Sequence, residues 1–319
     1  MKKAYASAPG KVILVGEHFV VEGCPAIAVA VDVRARVTAE RIEGEHVRVY
    51  SRELGEAVFG PGVGGGPLYP VYVAAREVIQ RTGERIGLKI TVESDIPPSA
   101  GMGSSAAVAV ATVAATAKLL GLALTPDEVA QLALAAEVVV HGKPSGIDPT
   151  VSSHGSAILF RKGDKPKRIN ADFEQVRLVL ADSGIQRSTG KLVSKVLETK
   201  KKFPGILEPL YRSATELAER TKEALENGDF ATVGELMNIN HGLLSALGVS
   251  NAKLEELVYA AREAGALGSK ITGAGGGGMV VALCWREDAD RVARALSKVA
   301  ARVMTASVSE EGVTCGLES

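Results

Sequence analysis

The chain has 319 residues, 46% of them hydrophobic and 23% charged, and its 37 Lys and Arg residues balance its 37 Asp and Glu residues. This length predicts about two domains, and the lack of net charge disfavours nucleic acid or a membrane surface as a partner. Cys24, Cys284 and Cys315 are odd in number and far apart, which disfavours a disulfide framework or a zinc ribbon and favours a reducing cytoplasm.

Neither the apolar run near the N-terminus nor the longest stretch of low polarity fits a targeting or membrane-spanning segment. The apolar run at 12–15 is too short for a signal-peptide core, and the Ala-rich stretch 106–117 falls short of the roughly 18 residues that a membrane span needs. We therefore expect a soluble, untargeted, cytoplasmic protein.

The first half of the chain is predicted to be rich in strands. Alternating and β-branched residues indicate strands at 26–40, 46–50, 87–93, 155–161 and 177–182. A turn-rich loop at 60–66 leads to a helix at 71–82, and a buried helix at 104–120 begins at a Ser pair suited to an N-cap. Thr125 and Glu128 fit a capping box that opens a third helix, ending near residue 138.

The second half is predicted to be mainly helical. Helical periodicity extends from 189 to 264, with breaks at 203–205, 227–228 and 249–250. Strands are expected at 268–271 and 278–284, then a helix at 287–299 and a last strand at 302–308. The sequence thus predicts an α+β protein with two domains, 1–170 and 171–319.

Three glycine-rich stretches are the strongest functional signal. The first, 9–18, contains Lys11, Glu17 and His18; the second, 97–107, contains Ser104 and Ser105; the third is 272–278. Glycine lets a backbone approach a ligand closely and point successive N–H groups at one anion. Together the three stretches predict an enzyme that handles a nucleotide.

Two familiar phosphate-binding motifs fit poorly. The second and third stretches match the glycine spacing of dinucleotide-binding domains, but residues 95–99 separate the second from its strand and too little chain follows the third. A P-loop would need Ser or Thr where Leu192 follows Lys191. The second stretch is interpreted as another phosphate cradle at a helix N-terminus, with a capped helix after a tight turn as the purely structural alternative.

A further set of polar residues lies between 137 and 148. Glu137 is on an otherwise apolar helix face, and buried carboxylates are usually paired or bound to a metal. With a Ser hydroxyl it would suit Mg²⁺, which leaves Asp148 as a base. The alternative is a surface glutamate and a turn-forming aspartate. The remaining histidines with no such neighbours are interpreted as structural: His46, His154 and His241.

The chain resembles the GHMP kinases, and within them the branch that phosphorylates mevalonate. The similarity rests on four segments in the same order along the chain, 8–27, 97–107, 143–148 and 272–278. Its discriminating part is Gly-Glu-His-x-Val-Val-x-Gly-x-Pro-Ala-Ile at 16–27. The segment at 184–189 and Ser99 resemble archaeal or bacterial members, which disfavours feedback inhibition by prenyl diphosphates.

The resemblance implies a ribosomal-S5-like N-terminal domain, a ferredoxin-like C-terminal domain with added helices, and an active site between them. It implies transfer of a phosphoryl group from ATP to the 5-hydroxyl of (R)-mevalonate in isoprenoid biosynthesis, with Mg²⁺, by a homodimer. The catalytic residues would be Asp148 and Lys11, the Mg²⁺ ligands Ser105 and Glu137, and the mevalonate pocket would contain Glu17, His18 and Thr189. The implied ATP-binding residues are Ser94, Pro98, Ser99, Ala100, Gly101, Met102, Gly103, Ser104, Ser105, Gly275 and Gly276.

Three other functions stay open on the sequence. One is a sister kinase that acts on galactose, homoserine or the 3-hydroxyl of mevalonate. The second is a sensor that binds ATP or a sugar without turnover. The third is a dehydrogenase, which would bind NAD(P)H and have little affinity for ATP. The complete first motif favours mevalonate, and the full set Lys11, Ser105, Glu137 and Asp148 disfavours a sensor.

Overall fold

The computed structural model describes residues 2–60, 62, 64–97, 101–142, 144–186 and 189–318, without the side chains of His141 and Thr189. Its strands are β1 (Lys3–Val15), β2 (Ala26–Ile42), β3 (Val47–Ser51), β4 (Gly55–Phe59), β5 (Gly87–Ser94), β6 (Ala157–Phe160), β7 (Lys167–Ile169), β8 (Val176–Asp182), β9 (Gly268–Ile271), β10 (Met279–Trp285), β11 (Arg302–Ala306) and β12 (Thr314–Glu318). Its helices are α1 (Tyr69–Thr82), α2 (Ser104–Leu119), α3 (Pro126–His141), α4 (Ile147–His154), α5 (Thr189–Lys202), α6 (Pro204–Glu226), α7 (Phe230–Ala246), α8 (Ala252–Glu263) and α9 (Ala289–Leu296).

The larger sheet belongs mostly to the first half of the chain. Its order is β12-β1-β2-β5-β3-β4, with β6 paired to β2 and β7 to β6. The pairs are antiparallel except β3 with β5, which run parallel. Helices α1, α2 and α4 pack against this sheet, and α3 packs against these three helices.

Two faces of β2 hold different helices in place. Ile27, Val29 and Val31 face the main core. Helix α2 also lies in this core, and its Ala and Val residues are buried on nearly every side. A helix that is apolar all round is a buried one. The opposite face of β2 packs with Ile147 and Val151 of α4 in a smaller apolar cluster. Each core thus anchors one helix whose first turn faces the candidate site.

The smaller sheet has the order β11-β8-β10-β9 and is antiparallel. Helices α7 and α8 pack on β9, and α9 packs on β8. Helices α6 and α7 also contact β1, so the helical half of the chain lies directly against the first sheet.

Several sequence predictions need correction. The expected last strand at 302–308 is β11, but a further strand, β12, pairs with β1 at the edge of the larger sheet. It was missed because its five residues are mostly exposed and lack an apolar alternation. Asp148, for which no helix was predicted, lies in the first turn of the short helix α4, so the alternative of a turn-forming aspartate is wrong. The proposed division at residue 170 stays a prediction.

The helix starts also differ from one another. The capping box of Thr125 and Glu128 is confirmed, with both reciprocal hydrogen bonds formed. At α2 the predicted Ser cap is wrong, because Gly103 takes the N-cap position with a φ of +69° and Ser104 is the first helical residue. Among the described residues, none of the helices is both long and apolar enough for a bilayer span.

Candidate active site

Lys11 of β1 and Asp148 in the first turn of α4 form an ion pair. Lys11 lies just after a shift in the β1–β2 register between Pro9 and Gly10, and such irregularities redirect side chains. Its Nζ is 3.1 Å from Asp148 Oδ1 and donates a hydrogen bond of 3.2 Å to the Gly101 carbonyl. The Lys11 side chain is only 5% exposed, whereas that of Asp148 is 26% exposed. Asp148 is therefore the member that a substrate can reach.

Gly103 brings the second glycine-rich stretch into contact with this pair. A Cβ at Gly103 would lie 3.1 Å from Lys11 Cγ and 3.4 Å from Asp148 Oδ2. The Lys11 backbone N–H donates to the Met102 carbonyl at 2.8 Å. Because Gly103 precedes the first turn of α2, the ion pair lies beside the positive end of a 16-residue helix.

Most of the predicted nucleotide residues in the described part of the chain lie at the start of α2. Gly101, Met102, Gly103, Ser104 and Ser105 lie together at the N-terminus of α2. Ser94 ends β5, and its hydroxyl accepts a hydrogen bond from the Ile96 N–H at 3.2 Å. The predicted residues Pro98, Ser99 and Ala100 lie outside the described part of the chain.

Ser105 and Glu137 meet across two helices. The Ser105 hydroxyl donates to Glu137 Oε1, which links the first turn of α2 to α3. Glu137 is 3% exposed, while Ser105 is exposed. Within the described residues, no set of three or more His, Cys, Asp and Glu side chains could hold a metal ion. A cation here would need a ligand set completed by phosphate and water.

The third glycine-rich stretch packs tightly against neighbouring backbone. Gly275 and Gly276 have φ values of +74° and +69°. A Cβ at Gly275 would come within 2.3 Å of the Val249 carbonyl oxygen, and one at Gly276 within 2.6 Å of Leu192 Cδ1. The Gly276 N–H already donates to Val249 at 2.7 Å. Packing thus accounts for both glycines without a ligand.

Glu17 and His18, predicted in the mevalonate pocket, are buried against the second half of the chain. Glu17 forms an ion pair with Lys270, and its Oε2 accepts a hydrogen bond of 2.9 Å from Asn240. His18 Nε2 donates to the Ala274 carbonyl at 2.8 Å. The third predicted pocket residue, Thr189, begins α5, but its side chain is outside the described part.

Sequence reasoning missed Lys270 and Asn240. Lys270 is fully buried on β9 and also donates to the Ile13 carbonyl at 3.1 Å. Burial lowers the pKa of the Lys270 ammonium, and the Glu17 carboxylate opposes that shift. A lysine inside the short buried strand that leads into 272–278 is the signal that could have found it.

His241, interpreted as structural, contacts β9, the strand that contains Lys270. Its Nε2 donates to Glu255 Oε2 at 3.1 Å, and its Nδ1 accepts from the Ile271 N–H at 3.5 Å. Burial lowers the pKa of the imidazole, although Glu255 opposes the shift. Because Nδ1 is an acceptor here, the neutral ring fits this position and the protonated ring does not.

Comparison with known proteins shows the family of the chain. The family model for the GHMP kinases N terminal domain matches residues 70–156, and that for the GHMP kinases C terminal domain matches 221–302. The mevalonate kinase of Thermococcus gammatolerans is 44% identical over 98% of each chain, and that of Pyrococcus furiosus is 42% identical over 98% of each. The crystal structure of L. major mevalonate kinase in complex with R-mevalonate has a TM-score of 0.82 and 32% identity, covering 95% of this chain and 94% of that one. The expected α+β class is confirmed, and the chain belongs to the GHMP kinase family, where it groups with the mevalonate kinases.

Proposed function

We propose that the protein transfers the γ-phosphoryl group of ATP to the 5-hydroxyl of (R)-mevalonate, giving 5-phosphomevalonate for isoprenoid biosynthesis. The observation that carries this proposal is the Lys11–Asp148 pair, with its accessible carboxylate, beside the N-terminus of α2. That arrangement offers a proton acceptor, a cation and a set of helix N–H groups in one place. The similarity over the full chain to mevalonate kinases supports the choice of alcohol.

The residues divide the work of phosphoryl transfer as follows. Such reactions pass through a loose transition state, so the protein contributes mainly positioning and neutralisation of charge. Asp148 orients the substrate hydroxyl and accepts its proton late, which a weak base can do. Lys11 holds the Asp148 carboxylate and offsets the negative charge that grows on the transferred group. The N-terminus of α2 binds the phosphates.

We assign Mg²⁺ to Ser105 and Glu137. Both are oxygen donors, and Mg²⁺ usually takes one or two carboxylates together with substrate phosphates and water. The deep burial of the Glu137 carboxylate, with Ser105 exposed in front of it, fits a cation site that opens toward the nucleotide. When bound, the cation supplies neutralisation of the β- and γ-phosphate charges.

We assign the remaining predicted residues to the nucleotide side or to the alcohol side of the Lys11–Asp148 pair. On the nucleotide side we place Ser94, residues 98–105 and the backbone near Gly275, whereas the Gly276 N–H is engaged by Val249. On the alcohol side we place His18 and Thr189.

We also propose a homodimer, which light scattering of the purified protein would test.

The closing test is ADP release with Mg-ATP and a panel of alcohols: (R)-mevalonate, galactose, homoserine and phosphomevalonate. The position of phosphate on any product is read by NMR. Turnover of mevalonate alone to the 5-phosphate is the expected result. A 3-phosphate, or turnover of another alcohol instead, would overturn the assignment, and tight ATP binding without turnover would favour a sensor.

A further inference from the structure

A buried cluster joins the two halves of the chain next to the candidate site. We call Glu17, Lys270 and Asn240 the Glu17 junction. The side chains of Glu17 and Lys270 are 1% and 0% exposed, and Asn240 is fully buried. Lys270 contacts Oε1 of the carboxylate and Asn240 donates to Oε2. Both oxygens therefore have donors from the protein, and a ligand has no access to them.

The junction lies where two functional segments begin. Glu17 follows β1, which carries Lys11, and immediately precedes His18. Lys270 lies shortly before Thr272, the first residue of the third glycine-rich stretch. The Thr272 hydroxyl accepts a hydrogen bond from the Ile13 N–H at 3.2 Å. Asn240 Oδ1 accepts from the Gly16 N–H at 3.3 Å. Each partner thus fastens a different part of the segment 13–18 to β9 or α7.

Stability alone is a weak explanation for a charged pair at this position. Two charges lose their hydration on burial, and apolar side chains of similar volume are often equally or more stabilising. Ion pairs and hydrogen bonds are directional, so they fix one alignment of the two surfaces that they join, which apolar packing does not do. Lys270 adds such a contact with its hydrogen bond to Ile13.

We propose that Glu17 and Lys270 are positioning residues, whose buried contact aligns His18 and the stretch 272–278 with Lys11 and Asp148 without touching the substrate. This inference rests on the proposed function for its kinetic consequences. Its structural consequences can be measured without any substrate.

The test compares Glu17→Gln, Lys270→Met and the double variant with the wild-type enzyme. Lys222→Met is the control, because Lys222 pairs with Glu226 on an exposed face of α6. Misplacement by about 1 Å can cost roughly 100-fold in rate. We expect the KM for (R)-mevalonate to rise about tenfold or more in Glu17→Gln, because His18 loses its alignment, and the KM for ATP to rise as well, because Gly275 lies in the stretch that loses its alignment. Lys222→Met should match wild type in both.

The double variant separates positioning from simple support of the fold. Lys270→Met alone leaves a buried carboxylate without its cation, so it should unfold at lower temperature or fail to fold. Removing both charges should restore thermal stability and leave the KM for mevalonate high. A double variant that regains both stability and a wild-type KM would overturn the proposal.

Hydrogen–deuterium exchange gives a second readout on the protein without ligands. Exchange in peptides covering 13–23 and 268–278 should be faster in the double variant than in wild type and in Lys222→Met. Unchanged exchange in both peptides overturns the proposal. If wild type fails to phosphorylate mevalonate, the proposed function fails, and the exchange result still decides whether the junction aligns the two segments.

Discussion

Replacing Gly103 by alanine would perturb the Lys11–Asp148 pair without removing either side chain. The Cβ of the new residue would lie 3.1 Å from Lys11 Cγ, 3.3 Å from Lys11 Cε and 3.4 Å from Asp148 Oδ2. Carbon atoms in optimal contact are about 3.5–4.0 Å apart, so Lys11 must withdraw by a few tenths of an ångström. The ammonium and the carboxylate then lose their alignment.

Two costs can be worked out for this substitution. Alanine in the left-handed conformation that Gly103 adopts, with a φ of +69°, costs roughly 1–2 kcal/mol of stability. The displaced Lys11 adds a catalytic cost, since a shift of about 1 Å can lower a rate by roughly 100-fold. For the smaller shift required here we expect kcat to fall about tenfold.

Gly121→Ala is the matched control. Gly121 has a φ of +75°, and no described atom lies within 4 Å of the position that a Cβ would take. In urea it should show the loss of unfolding free energy that alanine in the left-handed conformation causes, roughly 1–2 kcal/mol, and it should keep a wild-type kcat. The assay is steady-state ADP release with saturating ATP and mevalonate. Equal kcat values for the two variants would refute the argument that Gly103 sets the geometry of the pair.

Three further predictions concern single side chains. Glu137→Gln should raise the Mg²⁺ concentration needed for half-maximal activity, and an unchanged metal titration would remove Glu137 from the cation site. Burial lowers the pKa of His241 below its usual value of 6.5. As the pH drops below 6.5, the unfolded chain therefore binds a proton that the folded chain excludes, and the free energy of unfolding should fall. Urea unfolding across this range should show a smaller decline in His241→Gln, and an identical decline would contradict the assignment. Burial raises the pKa of the Cys284 thiol to about 12, so a thiol reagent at about pH 8 should modify the exposed Cys315 and spare Cys284 until the protein unfolds. Cys284→Ala should therefore leave the rapid phase of modification unchanged, and a smaller rapid phase would show that Cys284 is accessible.

Local signals in the sequence predicted most of the elements correctly. The strand of alternating residues after Pro25 became β2, and the breaks at 203–205, 227–228 and 249–250 separate α5, α6, α7 and α8. The capping box at Thr125 formed as expected. These features depend on neighbours a few residues away, so a single sequence contains the information.

The errors have a different physical origin. The strand β12 is stabilised by pairing with β1, more than 300 positions earlier in the chain, and its own residues give little indication of a strand. Helix α4 has only eight residues and depends on packing Ile147 and Val151 against β2. Such long-range contacts override local propensity.

The candidate site shows the same limit. Similarity of motifs predicted Lys11 and Asp148, and the structure brings them within 3.1 Å of each other. It did not predict that Glu17 would be enclosed, because Lys270 and Asn240 are 253 and 223 positions away in the sequence. A motif identifies which residues are important for function. Whether each of them contacts the substrate or supports the fold depends on how the chain packs.

The most direct test of the account measures Asp148→Ala beside wild type, with kcat on (R)-mevalonate and the Kd of Mg-ATP determined on the same preparations. General acid–base groups typically contribute about 10²- to 10⁴-fold to a rate. We predict that wild type yields the 5-phosphate, and that Asp148→Ala loses activity within that range while its Kd for Mg-ATP stays close to wild type. A variant that keeps a near-normal kcat would contradict the assignment of Asp148 as the group that accepts the hydroxyl proton.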